Sequence, residues 1–151
     1  MSIEPVPVYD VSEHEWEEWR PGTMSRMWAS EVLGTKEVRT GEQIHQPGVG
    51  APKHWHPYEE HLLFVEGRVE VYWEGQTVEA EAPCVAVFPP KTIHGFTNIG
   101  NGPLHLFAAV GSPIHKTYYI DQPDVVTKEY EVASGGVRHD TAIDQDQSEN
   151  Q

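Results

Sequence analysis

The sequence is poor in three things: it has one cysteine, ten basic residues against 24 acidic ones, and no long apolar run. Cys84 alone cannot form an internal bridge, so the fold must be held by its core, for which 151 residues suffice in one domain. No stretch approaches the roughly 18 to 20 apolar residues that span a bilayer. The opening MSIEPVPVYD has neither a basic region nor a long apolar one. No signal peptide is therefore expected, and neither is a membrane role; the expectation is a soluble, cytoplasmic protein. With so few bases there is no patch to neutralise phosphates, so nucleic acid is not an expected partner.

The formal net charge of -14 is uneven along the chain. Residues 1–22 carry a net -5, residues 23–120 a net -3 and residues 121–151 a net -6. The acidity sits on two arms that flank a nearly balanced centre, as solvated surface. Three units follow: an N-terminal arm over 1–22, a barrel over 23–120 and an acidic C-terminal arm over 121–151. After Ser134-Gly135-Gly136 the chain turns to Asp, Gln and Ser, and disorder is expected over about the last 12 residues.

Ser12 and Glu15 have the spacing of a capping box, and Trp16 and Trp19 share a face at helical spacing. A short helix from Glu13 to Arg20 is predicted, ended by Pro21-Gly22, with both tryptophans packed on the outside of the barrel. From Met24 to Val110 short alternating segments are punctuated by turn residues. Predicted strands run from Ser25 to Leu33, Glu37 to Gln46, Lys53 to His56, Glu60 to Glu66, Arg68 to Trp73, Gln76 to Glu81, Val85 to Phe88, Ile93 to Asn98 and Leu104 to Val110. Nine short strands in this length predict an all-β closed barrel or sandwich. Glu74-Gly75 marks a hairpin and Gly67 a bend.

His54 and His56 are separated by one residue, and on a strand that spacing puts both side chains on one face. Glu60 keeps the same facing if the strand is only briefly interrupted by Pro57. Leu62, Phe64, Val69, Val71 and Trp73 would then face inward as well. Leu63 and Val65 would be left outside, which predicts a cover, either the N-terminal arm or a second subunit, and a homodimer is favoured.

These residues resemble the cupin superfamily. Gly48, five residues, His54, His56, Glu60, six residues and Gly67 match the first cupin motif at every position. In the second motif Pro89, His94 and Asn98 match, whereas Pro83 and Lys91 stand where glycines belong and Cys84 follows in place of a common acidic residue. The resemblance covers about residues 25–110 and implies a double-stranded β-helix, or jelly-roll barrel. It also implies a metal site of His54, His56, Glu60 and His94, with Glu60 preferred over its neighbour Glu59 by the spacing to Gly67.

Three imidazoles and a carboxylate suit one divalent first-row ion, Fe, Mn, Ni, Co or Zn. Phe64, Trp73 and Phe96 would form an apolar wall around it. Lys91 either directs its ammonium to the barrel mouth, where it would attract an anionic substrate, or faces solvent. Tyr58 is a candidate base or donor near the metal. His105 either lines the pocket as a proton shuttle or lies outside, and His61 is expected at the surface. His14, His45, His115 and His139 belong to no motif. The resemblance implies an enzyme acting on a small oxygen-bearing metabolite, a carboxylate or keto-enol. Dioxygenase chemistry stands slightly ahead of lyase, decarboxylase or isomerase chemistry, and a non-catalytic ligand-binding or sensory protein is the alternative.

Overall fold

The computed structural model describes residues 7–120 in full, together with the backbone of two strands, Thr127–Ala133 and Gly136–Ile143. Two antiparallel sheets face each other. The first has the order β1-β2-β3-β10-β5-β8, with β1 Glu17–Arg20, β2 Thr23–Ala29, β3 Arg39–His45, β5 Glu60–Glu66, β8 Cys84–Phe88 and β10 Leu104–Val110. The second has the order β13-β12-β11-β4-β9-β6-β7. It comprises β4 Gly50–Trp55, β6 Arg68–Trp73, β7 Gln76–Glu81, β9 His94–Asn98, β11 His115–Tyr119, β12 Thr127–Ala133 and β13 Gly136–Ile143. This is the jelly-roll barrel that the motifs imply.

Alternation in the sequence becomes a core because each strand turns one face to the other sheet. Leu62 and Phe64 on β5 stand opposite Ala108 and Leu106 on β10. With Val69, Phe88, Phe96 and Leu104 they form the buried apolar cluster. Burial of each large side chain stabilises the barrel by about 1.5–3 kcal/mol. At the β6–β7 turn Glu74 and Gly75 both take positive φ, and Trp73 pairs with Gln76, which defines a two-residue hairpin. Gly67 adopts a φ of 103°, and a Cβ there would stand 2.7 Å from the Pro103 carbonyl oxygen. Only glycine fits that bend.

The short N-terminal helix does not form. Residues 17–20 are strand β1, paired with β2 through Glu17–Ser25 and Glu18–Met24, and the only helical turn among the described residues is a single 3-10 turn at Glu31–Leu33. The sheet edge supplies β1 with inter-strand hydrogen bonds, and these outweigh a marginal eight-residue helix. The consequence reaches the tryptophans, because a spacing of three shares a face on a helix but not on a strand. Trp16 stays outside, under the Arg26 guanidinium at 4.6 Å, whereas Trp19 lines the barrel cavity.

The C-terminal arm is likewise part of the architecture, since β12 pairs with β11 and β13 with β12. The expected disorder falls partly on residues 144–151, outside the described residues, while residues 140–143 belong to β13. On the outer face of the first sheet Leu63 and Val65 are 41% and 47% exposed, as their parity predicts, and Val85 and Val87 on the neighbouring edge strand β8 are 57% and 52% exposed. No helix among the described residues is long and apolar enough to cross a membrane.

Candidate metal centre

The four motif residues meet at one point, but not by the route that a single interrupted strand would give. His54 lies on β4 of the second sheet, directly opposite His94 on β9, and His56 follows immediately after β4. The chain then crosses to the other sheet through Pro57–Glu59, so Glu60 opens β5 and approaches the histidines from the facing layer. The site thus bridges the two sheets. One ligand atom from each of the four residues falls within a group whose members all lie within 4.8 Å of one another, and all four residues are buried.

Each histidine ring is oriented by a carbonyl. Nδ1 of His54 donates to Pro52 O at 2.6 Å, Nδ1 of His56 to Lys116 O at 2.7 Å and Nδ1 of His94 to Thr92 O at 2.9 Å. A carbonyl oxygen only accepts, so each Nδ1 carries hydrogen, and in the neutral ring each Nε2 presents a lone pair to the centre. Nε2 of His94 and of His56 lie 2.9 and 3.5 Å from Glu60 Oε1. Burial works to raise the Glu60 pKa, but the adjacent His56 and His94 outweigh it and hold the carboxyl well below its ordinary value. Burial, and then the like charges of His56 and His94, hold His54 well below the ordinary imidazole range. Three imidazole nitrogens and a carboxylate buried within 4.8 Å of one another are a donor set that suits a cation, and carbonyl-anchored imidazoles are the usual second layer of such sites. The residues present therefore fit a divalent ion.

A small cavity open to solvent lies above this centre. Phe96 lines it as predicted, whereas Phe64 lies one layer behind, packed edge-on against Phe96 at 5.7 Å. Trp73 keeps its inward parity but ends β6 at the rim and is 40% exposed, outside the cavity lining. Lys91 is exposed and also outside the lining. It takes a φ of 65°, the left-handed conformation that the motif glycine would favour, and its backbone N–H donates to His56 O at 2.8 Å. The loop before His94 is thereby closed without glycine.

Tyr58 stacks on His56 at 5.1 Å, and its hydroxyl is engaged twice by one backbone unit, accepting from Lys116 N at 2.9 Å and donating to Lys116 O at 3.2 Å. Burial raises its pKa. Tyr58 thus joins the His56 ring to β11. His105 is on the outer face, because only the even-numbered residues of β10 point inward. Its Nε2 lies 2.6 Å from Glu42 Oε2, in a cluster where Glu42 also accepts from Arg26 and Trp28. His61 and Glu59 pair at the surface at 3.0 Å, which leaves Glu60 as the inward carboxylate.

Sequence reasoning missed several lining residues. His45, Gln43, His115, Thr117, Tyr119 and Trp19 all border the cavity. His45 is held between Thr23 Oγ1 at 3.0 Å and Gln43 Oε1 at 2.9 Å, and burial, with help from Arg20, lowers its pKa to about 4. The His115 ring lies 5.4 Å from His56, and burial with the Arg39 charge holds its pKa well below the ordinary imidazole value. The inward parity of Gln43 and His45 on β3 was the available signal. Asn98, the last motif residue, is structural: it donates to His45 O and Gly102 O and accepts from Gly100 N.

Barrel, motif and ligand geometry together define a cupin. Residues 41–110, just under half of the chain, match the Cupin domain family, and the barrel that they build is a cupin domain. It is similar to the polyketide synthase CurC of Streptomyces cyaneus, with 33% identity over 95 residues, and spans 62% of that relative's length and 62% of its own. Among solved structures, the cupin-superfamily sugar phosphate isomerase of Silicibacter pomeroyi superposes with a TM-score of 0.65 at 18% identity, over 93% of this chain and 98% of the other. The Lactobacillus farciminis oxalate decarboxylase formate complex gives a TM-score of 0.66 at 22% identity, over 76% of this chain and 36% of the other. These two likenesses concern the fold.

Proposed function

We propose that the chain is a metal-dependent enzyme that transforms a small oxygen-bearing metabolite, a keto-enol or carboxylate, at the His54, His56, Glu60 and His94 centre. The observation that carries this reading is the convergence of three carbonyl-anchored imidazoles with a buried carboxylate beneath an open cavity. His54, His56, Glu60 and His94 would hold a divalent ion there, and it would supply Lewis-acid or redox chemistry to substrate oxygens. The chain's own contribution is to orient the substrate against Phe96 and Leu62, to exclude bulk water, and to present His45 and Gln43 along one wall.

The relatives' names favour an oxygen-rich substrate, since oxalate, a sugar phosphate and a polyketide are all of that kind. The polyketide synthase relative, at the highest identity of the three, favours the keto-enol. Oxygen consumption separates dioxygenase chemistry from lyase, decarboxylase or isomerase chemistry. The test assays metal-loaded protein with a panel of 1,3-dicarbonyl and 2-oxo acid compounds, in air and without oxygen, beside Glu60→Gln. Turnover by the wild type and its loss in the variant are expected. Compounds that bind the loaded protein but are always recovered unchanged would replace the enzyme with a ligand-binding protein.

A further inference from the structure

The wall of the metal cavity includes a polar group that the barrel leaves unsatisfied. Thr117 lies on β11, lines the cavity and is 2% exposed, and its Oγ1 is buried without a hydrogen-bond partner among the described residues. The large majority of buried side-chain polar atoms are paired, because desolvation without a partner is unfavourable. The strand itself does not call for a hydroxyl. Valine has the same shape, suits a strand equally well and would leave no polar atom to satisfy. The threonine therefore forgoes stability that valine would keep, and departures of this kind collect where a ligand completes the bonding.

Its place is fixed by register. Tyr119 pairs with His54 and Tyr118 with Trp55, so one further step along the antiparallel pair sets Thr117 beside His56. The His56 ring agrees, since its Nδ1 donates to the carbonyl of Lys116, the residue before Thr117. Thr117 and Tyr119 share the inward parity, and both line the cavity. Cross-strand neighbours have Cβ atoms about 4.5–5.5 Å apart, so the hydroxyl lies within one side-chain length of a residue of the metal centre.

We propose that Thr117 is a substrate-binding residue whose hydroxyl takes an uncharged oxygen of the substrate, adjacent to the oxygens held at the metal centre. The inference rests on the metal reading above and narrows the substrate to a compound bearing a further oxygen beside its chelating group. A hydroxyl both donates and accepts, so it suits a substrate hydroxyl or carbonyl alike.

The test is a double-mutant cycle between protein and probe, read by calorimetry on zinc-loaded protein without oxygen. Pyrogallol and 3-methylcatechol share a chelating diol and differ in one adjacent hydroxyl or methyl, as threonine and valine do. The wild type should bind pyrogallol roughly fivefold tighter than 3-methylcatechol or better. Thr117→Val should erase that preference with zinc content unchanged, and Thr117→Ser should retain it. The Tm of the Thr117→Val protein should equal or exceed that of the wild type, which a hydroxyl with a structural partner would not allow. Equal affinities for the two probes in the wild type would overturn the assignment. So would a Tm lowered by more than about 2 °C in the valine variant. A preference that survives Thr117→Val would overturn it as well, and would leave the hydroxyl to a buried water. Failure of the metal reading is separately visible as absence of bound zinc.

Discussion

Nε2 of His94 stands 2.9 Å from Oε1 of Glu60 while Nδ1 of the same ring donates to the Thr92 carbonyl. The His94 imidazole and the Glu60 carboxylate therefore meet inside the barrel, where a cation held by both would add its binding free energy to folding. Metal should consequently stabilise the fold. Zinc at about 1,000 times its dissociation constant should add about 4 kcal/mol, which for this chain raises Tm on the order of 10 °C over chelator-treated protein. Differential scanning calorimetry with and without zinc measures this directly, and coincident transitions would count against a preformed site.

His45 links stability to pH. Its folded pKa of about 4 lies below the unfolded 6.5, so the unfolded chain binds the extra proton between those values. The corresponding stability is fully present above pH 6.5 and is lost as pH falls toward 4, by about 3 kcal/mol over the window. His54 and His115 are shifted the same way and add to the slope. Urea midpoints measured from pH 7 to pH 4.5 should fall, and His45→Gln should flatten part of that fall.

Tyr58→Phe removes both hydroxyl bonds to Lys116 but leaves the ring stacked on His56. A loss of about 1–2 kcal/mol in stability is expected, with kcat nearly unchanged. A loss of kcat at constant stability would return Tyr58 to the chemistry.

The exposed strip of Leu63, Val65, Val85 and Val87 covers two adjacent strands, and β8 is the edge of its sheet. Apolar edges of this kind are normally covered. We propose a second copy of the chain as the cover. Light scattering should give the mass of a dimer for the wild type and of a monomer for Leu63→Glu/Val85→Glu, with the metal content of both unchanged.

Much of this architecture was legible because period two and turn residues agree locally. The bounds of β5, β6, β7 and β10 follow from alternation and from Gly67 and Glu74-Gly75. The proposed ligand set was legible through the resemblance to the cupin motifs, the first carrying His54, His56 and Glu60 and the second His94. The N-terminal segment was not, because a capping box and a tryptophan pair describe a local preference that the sheet edge overrides. Lys91 shows that a motif glycine can be lost while its backbone conformation is kept. The inner wall was hidden for a different reason. β3 reads as polar on both faces, since one side serves the cavity through Arg39, Gln43 and His45 and the other holds the Glu42 cluster. Periodicity cannot tell a polar cavity from solvent.

Elemental analysis of natively purified protein tests the central claim most directly. The account predicts close to one divalent first-row ion per chain in the wild type, and loss of most of it in Glu60→Gln and His94→Ala proteins that remain folded. A wild-type protein that is purified without metal and takes up none of manganese, iron, cobalt, nickel or zinc on reconstitution would contradict it.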